Sequence, residues 1–253
     1  MNESKVHTYI DDNNFYWFTV NRPEKRNAID YDVMNALKAA LVEVRENTAI
    51  RGFIITGSGQ QSFCSGGDLS VFHALHTKED AYSMLSKMGD VLHNLMTLPV
   101  PTYALINGTA IGGGCEIASA CDQRWAAPDA KLGFVQGKLG ITTGWGGASM
   151  LMEKLPHAQA IQMLTSAKIF SSEEAMEFGF IQKIVPSFDS QSIQEELTLS
   201  SAVLRSYKKS FISKWDQTSL KERMLAEIEQ CSILWEQEEH HEAVNTFLES
   251  KKL

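Results

Sequence analysis

Apolar residues recur along this chain at two periods, and the two alternate. Residues 14–20 (Asn14-Phe15-Tyr16-Trp17-Phe18-Thr19-Val20) are aromatic and β-branched, which predicts a strand. From Ile29 to Glu46 the apolar positions move to helical spacing (Val33, Met34, Leu37, Leu41, Val44), with Asp30 placed as an N-cap. Gly52 to Thr56 reads as a short buried strand. Lys78 to Met96 reads as a second amphipathic helix through Ala81, Met84, Leu85, Met88, Val91, Leu92 and Leu95. The run Val100 to Ile106 predicts another strand, followed by a helix from Gly113 and a short strand at Arg124-Trp125-Ala126. Helices are expected near Ala148–Lys154, His157–Thr165 and Ser171–Phe178, the last with a serine cap and acids in its first turn. Gly179 to Val185 reads as a final strand, and about Ser192 to Ser250 is helical and charged. Strands alternating with helices imply an α/β layered fold. The expected organisation is a core over 1–191 and a C-terminal helical region over 192–253.

Two glycine-rich turns stand between these elements: Phe63-Cys64-Ser65-Gly66-Gly67-Asp68-Leu69 and Gly108-Thr109-Ala110-Ile111-Gly112-Gly113-Gly114-Cys115-Glu116. Each follows an apolar run. Glycine lets the backbone turn through positive φ and lets a ligand come close to peptide N–H groups. Two such turns can aim one N–H each at a single oxygen; on a thioester carbonyl, that pair stabilises the charge of an enolate. Rival motifs fail on spacing. Gly112-Gly113-Gly114 does not continue into a dinucleotide fingerprint, and Gly133 to Lys138 is one residue short of a phosphate loop, with Leu139 at the Ser/Thr position. Phe63 stands where a serine elbow around Ser65 needs glycine. His240-His241-Glu242 reads as a solvated helix face, since Asn245 replaces the second histidine of a zinc motif, and His73 and His76 lack a further ligand. No metal is expected.

The segments Asn21 to Ala28, Phe63 to Leu69, Asn107 to Glu116, Gly144-Trp145-Gly146-Gly147 and Ala175 to Val185, in this order and spacing, resemble the crotonase, or enoyl-CoA hydratase/isomerase, superfamily. The resemblance covers roughly residues 15–190. It implies stacked ββα turns forming a spiral, and a C-terminal helical region that completes a homotrimer or a dimer of trimers. It also implies an acyl-CoA thioester as substrate and no further cofactor, because coenzyme A is part of that substrate.

The same resemblance places the oxyanion donors on the backbone N–H groups of Ser65 and Gly113, and the acid–base group on Glu116. A carboxylate in a partly apolar pocket has its pKa pushed toward neutrality, which suits proton transfer. Substrate contacts are expected at Lys25, Arg26, Ala28, Phe63, Ser65, Gly66, Asp68, Leu69 and Trp145. Of these, Lys25 and Arg26 would offer cations to the 3′-phosphate, and Phe63 to Ser65 would border the adenine. Asp68 also reads as a turn or helix cap, and Trp145 as a wall group.

Gln136 departs from the pattern, standing where hydratases carry a second glutamate. An amide cannot take up a proton at neutral pH, although it can orient water or a carboxylate. Three reactions stay open: isomerisation through Glu116, a modified hydration, and decarboxylation of a malonyl-type thioester, which needs no base because loss of carbon dioxide makes the enolate directly. Phe134-Val135, Gly144 to Gly147, Leu204 to Ser210 and Trp235 resemble the ethylmalonyl-CoA decarboxylase branch. The competing class is a non-catalytic homo-oligomeric acyl-CoA-binding or scaffolding relative.

Charge and cysteine use narrow the partners. A formal net charge of −8 argues against nucleic acid and anionic membranes as partners. Cys64, Cys115, Cys121 and Cys231 have no metal or redox spacing and read as buried thiols of a reducing compartment. Met1 to His7 holds no apolar leader pattern and no run reaches membrane-spanning length, so a cytoplasmic protein is expected.

Overall fold

The aromatic run folds as β2 (Phe15–Val20), paired antiparallel with an edge strand, β1 (Val6–Ile10), that periodicity did not predict. β1 is missed because its side chains are mostly exposed and mix His7 and Thr8 with Tyr9 and Ile10. Asp30 caps α1 (Tyr31–Glu46), accepting from Asp32 N and Val33 N, as expected. The computed structural model describes residues 4–250.

From here the chain repeats one unit. β3 (Gly52–Gly57) is followed by a short second strand, β4 (Ser62–Cys64), and then by α2 (Leu69–Phe72) and α3 (Lys78–Met96). β5 (Thr102–Ile106) leads to β6 (Thr109–Ile111) and α4 (Gly113–Ala120); β7 (Gln123–Ala126) leads to β8 (Lys131–Gly133) and α5 (Gly147–Leu151). The first strand of each unit joins a six-stranded sheet, order β1-β2-β3-β5-β7-β10, parallel from β2 onward. The second joins a four-stranded sheet, order β4-β6-β8-β9. This is the α/β spiral of ββα turns that the resemblance implied. Each turn into a helix lies beside the turn of the preceding unit, so the two glycine segments become neighbours.

After α6 (His157–Thr165), β9 (Phe170–Ser171) opens α7 (Ser172–Glu177) through a full capping box between Ser171 and Glu174. The final strand is shorter than the run Gly179 to Val185. Only β10 (Lys183–Ile184) pairs, because Gly179, at φ +77°, ends α7 in a turn in which Phe180 N and Ile181 N both return to Ala175 O.

The C-terminal region holds α8 (Ser190–Glu196), α9 (Ser201–Gln217), α10 (Leu220–Trp235) and α11 (Glu238–Ser250). α10 lies on α3, and Trp215, Leu220, Met224, Ile228, Cys231 and Trp235 belong to the main core. These side chains, with Leu204, are therefore consumed inside the chain and are not free for subunit contact. What α9 leaves exposed is a stripe of Val203, Tyr207 and Phe211. His240 is also corrected: it is 2% exposed, its Nδ1 lies 2.7 Å from Leu139 O, and it packs on Trp235, so only the rest of that segment faces solvent. Among the described residues no helix is long and apolar enough to cross a membrane, and no group of His, Cys, Asp and Glu could hold a metal ion.

Candidate active site

Glu116 is the centre of the arrangement. It sits in the first turn of α4 and is only 2% exposed. Its Oε1 accepts from Trp145 N (2.8 Å) and Gly147 N (3.0 Å), and its Oε2 accepts from the Gln136 side-chain amide (3.0 Å). Burial pushes its pKa up to about 7; the charge of Glu227 adds to the rise, and the three N–H donors oppose it. The close fit explains one glycine: a Cβ at Gly147 would lie 2.7 Å from Glu116 Oε1 and collide with Cγ. Gln136 is thus brought to Glu116 as an amide donor, and its own Oε1 is buried without a partner.

The second turn has its glycines for separate reasons. Gly112 takes φ +55°. At Gly113 a Cβ would lie 2.9 Å from Trp145 Cε3 and closer still to two other ring atoms; at Gly114 it would overlap Cys64 O. The Trp145 indole, 4% exposed, therefore packs against Gly113 and reaches Gly67 as well, where its Cζ2 is 3.6 Å from the position of a Cβ. The two turns touch backbone to backbone, with an added Cβ at Gly66 lying 3.2 Å from Gly113 N.

In the first turn the amide left without an acceptor is that of Gly67, not Ser65. Ser65 N–H is already committed to Arg26 O at 3.1 Å, so it cannot serve a ligand without breaking that bond. Ile29 N and Asp68 N are used to tie the turn to residues 28–30, through Gly66 O and Ile29 O. Gly67 N–H and Gly113 N–H are left with no acceptor among the described residues. Residue type carries no signal of which way an amide points; the twin glycine at 66–67 was the only available hint.

Several expected contact residues turn out to support the turn from behind. Asp68 is buried, bonds Arg22 Nη2 at 2.7 Å and caps α2 through Ser70 N, so its carboxylate is not open to a ligand. Arg22 also donates to Ala28 O at 2.6 Å, while Asn27 accepts from Arg22 N and donates to Ser58 O and Ser62 O. Arg26 and Asn27 both sit in left-handed backbone, at φ +52° and +56°. The Asn-Arg-Pro segment is therefore a clamp on β4 and its turn. Phe63 and Ala28 are buried, and Leu69 is half-buried at the start of α2. Lys25 and Arg26 are exposed, and Arg26 lines a cleft of about 270 Å³ with Gln61, Ser62, Ser65, Thr109 and Ile111. A second cleft of about 430 Å³, lined by Pro23, Asn27 and Ser58 to Ser62, shares Gln61 and Ser62 with it. All four cysteines are buried free thiols, with burial pushing Cys64, Cys121 and Cys231 up to about 12.

Glu227 was not singled out from sequence. It lies in the charged run Lys221-Glu222-Arg223-Met224-Leu225-Ala226-Glu227, which reads as a solvated helix face. Packing of α10 turns it inward onto α5, where it accepts from Thr143 Oγ1, Ala148 N and Ser149 N.

Known proteins resemble this chain over most of its length. The family model for enoyl-CoA hydratase/isomerase matches residues 12–253. Ethylmalonyl-CoA decarboxylase of Bos taurus is 33% identical over 225 residues, 86% of this chain and 73% of the relative. Short-chain-enoyl-CoA hydratase of Clostridium acetobutylicum is 29% identical over 240 residues, 93% of this chain and 91% of the relative. Among solved structures, enoyl-CoA hydratase from Bacillus halodurans superposes with a TM-score of 0.85 at 27% identity, covering 96% of this chain and 100% of that one. The chain belongs to the enoyl-CoA hydratase/isomerase family.

Proposed function

We propose that the protein is an acyl-CoA decarboxylase acting on a short malonyl-type thioester through an enolate, with Gly67 and Gly113 as oxyanion donors and Glu116 as the acid. The observation that carries this is the Gln136 amide on Glu116 Oε2, which leaves one proton-active carboxyl on that side of the site. In the reaction the bond from Cα to the substrate carboxylate breaks. Its electron pair passes into the thioester carbonyl, whose oxygen is held by the two free N–H groups. Carbon dioxide leaves, and Glu116 gives its proton to Cα; water then reprotonates the carboxylate. The indole of Trp145 supplies an apolar wall, which favours loss of a charged carboxylate as a neutral molecule and restricts the length of the acyl chain. Arg26, on the rim of the adjoining clefts, is the cation we assign to a coenzyme A phosphate. The exposed stripe Val203, Tyr207 and Phe211 supports assembly as a homotrimer or a pair of trimers.

Hydration of an enoyl-CoA by a single glutamate is the second reading, favoured by the hydratase relative that aligns with more of the chain. One experiment separates them. The protein is incubated with ethylmalonyl-CoA, methylmalonyl-CoA and crotonyl-CoA, following carbon dioxide release and loss of the enoyl chromophore. Carbon dioxide release should dominate, with deuterium entering Cα in heavy water. Glu116→Gln should lower turnover by about 10²–10⁴ with little change in substrate affinity. Because an acid must be protonated, turnover should fall as pH rises through about 7. Fast hydration of crotonyl-CoA without carbon dioxide release, or full turnover by Glu116→Gln, overturns the proposal.

A further inference from the structure

Residues 143–149 hold two carboxylates with one stretch of backbone. Glu116 Oε1, from α4, takes the N–H groups of Trp145 and Gly147; Glu227, from α10, takes those of Ala148 and Ser149 together with the Thr143 hydroxyl. Glu116 is buried and Glu227 half-buried, and they come from helices far apart in the chain. We infer that Glu227 is a positioning residue of the catalytic centre: it holds, from the far side, the loop whose N–H groups orient Glu116, and its carboxyl bears on the Glu116 proton. The inference rests on the reading of Glu116 as the acid.

Glu227 is the charge that matters there. The other ionisable groups that act on Glu116 are the Cys231 thiol on α10 and the Cys115 thiol on α4, and burial keeps both neutral. The remaining contacts of Glu116, from the 143–149 loop and from Gln136, are neutral N–H donors that favour its ionised form. Without Glu227 those donors would act against desolvation alone. Burial raises the Glu227 pKa too, against its donors, so the two carboxyls titrate as a coupled pair. The helical region from 192 onward thereby contributes to the chemistry and not only to packing.

The test is a pH profile of turnover for Glu227→Gln, which keeps the volume and one acceptor oxygen, for Thr143 Oγ1 and Ala148 N, while deleting the charge and the acceptor for Ser149 N. The fall in turnover with rising pH should move to lower pH by on the order of one unit, leaving activity at pH 5.5 within a few-fold and lowering it about tenfold at pH 8. Glu227→Asp should restore part of the shift. A folded Glu227→Gln protein with an unmoved profile overturns the inference. If neither variant folds, carboxyl ¹³C titration of the wild type decides: Glu116 must show two coupled steps, and a single independent step overturns it. Glu116→Gln serves as the separating control. If that variant keeps the pH limb and the activity, the acid reading itself fails, whatever Glu227→Gln does.

Discussion

Adding one methyl group at Gly113 should disable the site and destabilise the fold through the same contact. The Cβ of Gly113→Ala would lie 2.9 Å from Trp145 Cε3 and nearer to two further ring atoms, well inside the 3.4 Å at which ordinary contact begins. The indole cannot slide away cheaply, since it is buried and already lies on Gly67, and its backbone N–H holds Glu116. Overpacking of this kind costs roughly 1–3 kcal/mol, which for a chain of this size lowers Tm by about 2–12 °C. Displacement of one oxyanion donor adds a rate loss of about 10²–10³. The assay is kcat/KM for carbon dioxide release alongside thermal unfolding, with Gly137→Ala as a control, because its nearest neighbour is Ala167 Cβ at 4.0 Å. A double-mutant cycle checks the cause. In a Trp145→Ala background the Gly113→Ala stability cost should almost vanish, giving a coupling close to the whole single-mutant cost. Additive stability effects, or a Gly113→Ala protein with wild-type rate and Tm, would refute the reasoning.

Two further outcomes test other parts of the site. Arg22→Ala leaves the buried Asp68 and Asp30 carboxylates without their guanidinium and should cost about 3–5 kcal/mol, measured by urea unfolding. Burial pushes the Asp68 carboxyl up, but Ser70 and Arg22 outweigh it and hold its pKa below 3.8, so its share of stability is present above that pH and lost on acidification; the variant should therefore lose less stability than wild type between pH 5 and 2, and an equal loss counts against the assignment. Gln136→Glu should depress carbon dioxide release by at least about tenfold, since a second carboxylate repels the substrate's own and competes for the Glu116 proton; release at the wild-type rate would remove Gln136 from the site.

Legibility in the sequence followed the length and patterning of each element. α1 and α3 were readable with their caps because an amphipathic stripe of sixteen or more residues has one period and few alternatives. The four-stranded sheet was not readable. Its strands are two or three residues long and lie inside glycine turns, so pairing with neighbours, not composition, makes them strands. Glu116, Gln136, Trp145 and Gly113 were found through motif spacing, and the fold brings all four together. Asp68 takes the helix-cap position that its place in the turn suggested, while the commitment of the Ser65 N–H to Arg26 O could not be read from a motif, because residue type does not say which acceptor takes an N–H. Glu227 and His240 failed for a related reason. A charged helix looks the same in sequence whether its polar residues meet water or the back of an active-site loop.

The amide at 136 is best understood from the proton affinity of Glu116. Burial and Glu227 push that affinity up, while Trp145 N, Gly147 N and the Gln136 amide pull it down. A glutamate at 136 would turn the third donor into a second buried acid within hydrogen-bond distance, and the pair would share one proton. That arrangement suits a reaction in which one group takes a proton from water while the other delivers one. With glutamine, Glu116 is a single acid whose pKa is pushed up to about 7, and in the proposed reaction its unshared proton goes to carbon. The buried Oε1 of Gln136 then remains as an acceptor without a partner among the described residues. An acceptor suits a water or a substrate N–H, and it would not bind a departing carboxylate. In the proposed decarboxylation, Gln136 Oε1 offers the departing carboxylate no donor, and so nothing on that side of the site holds it back.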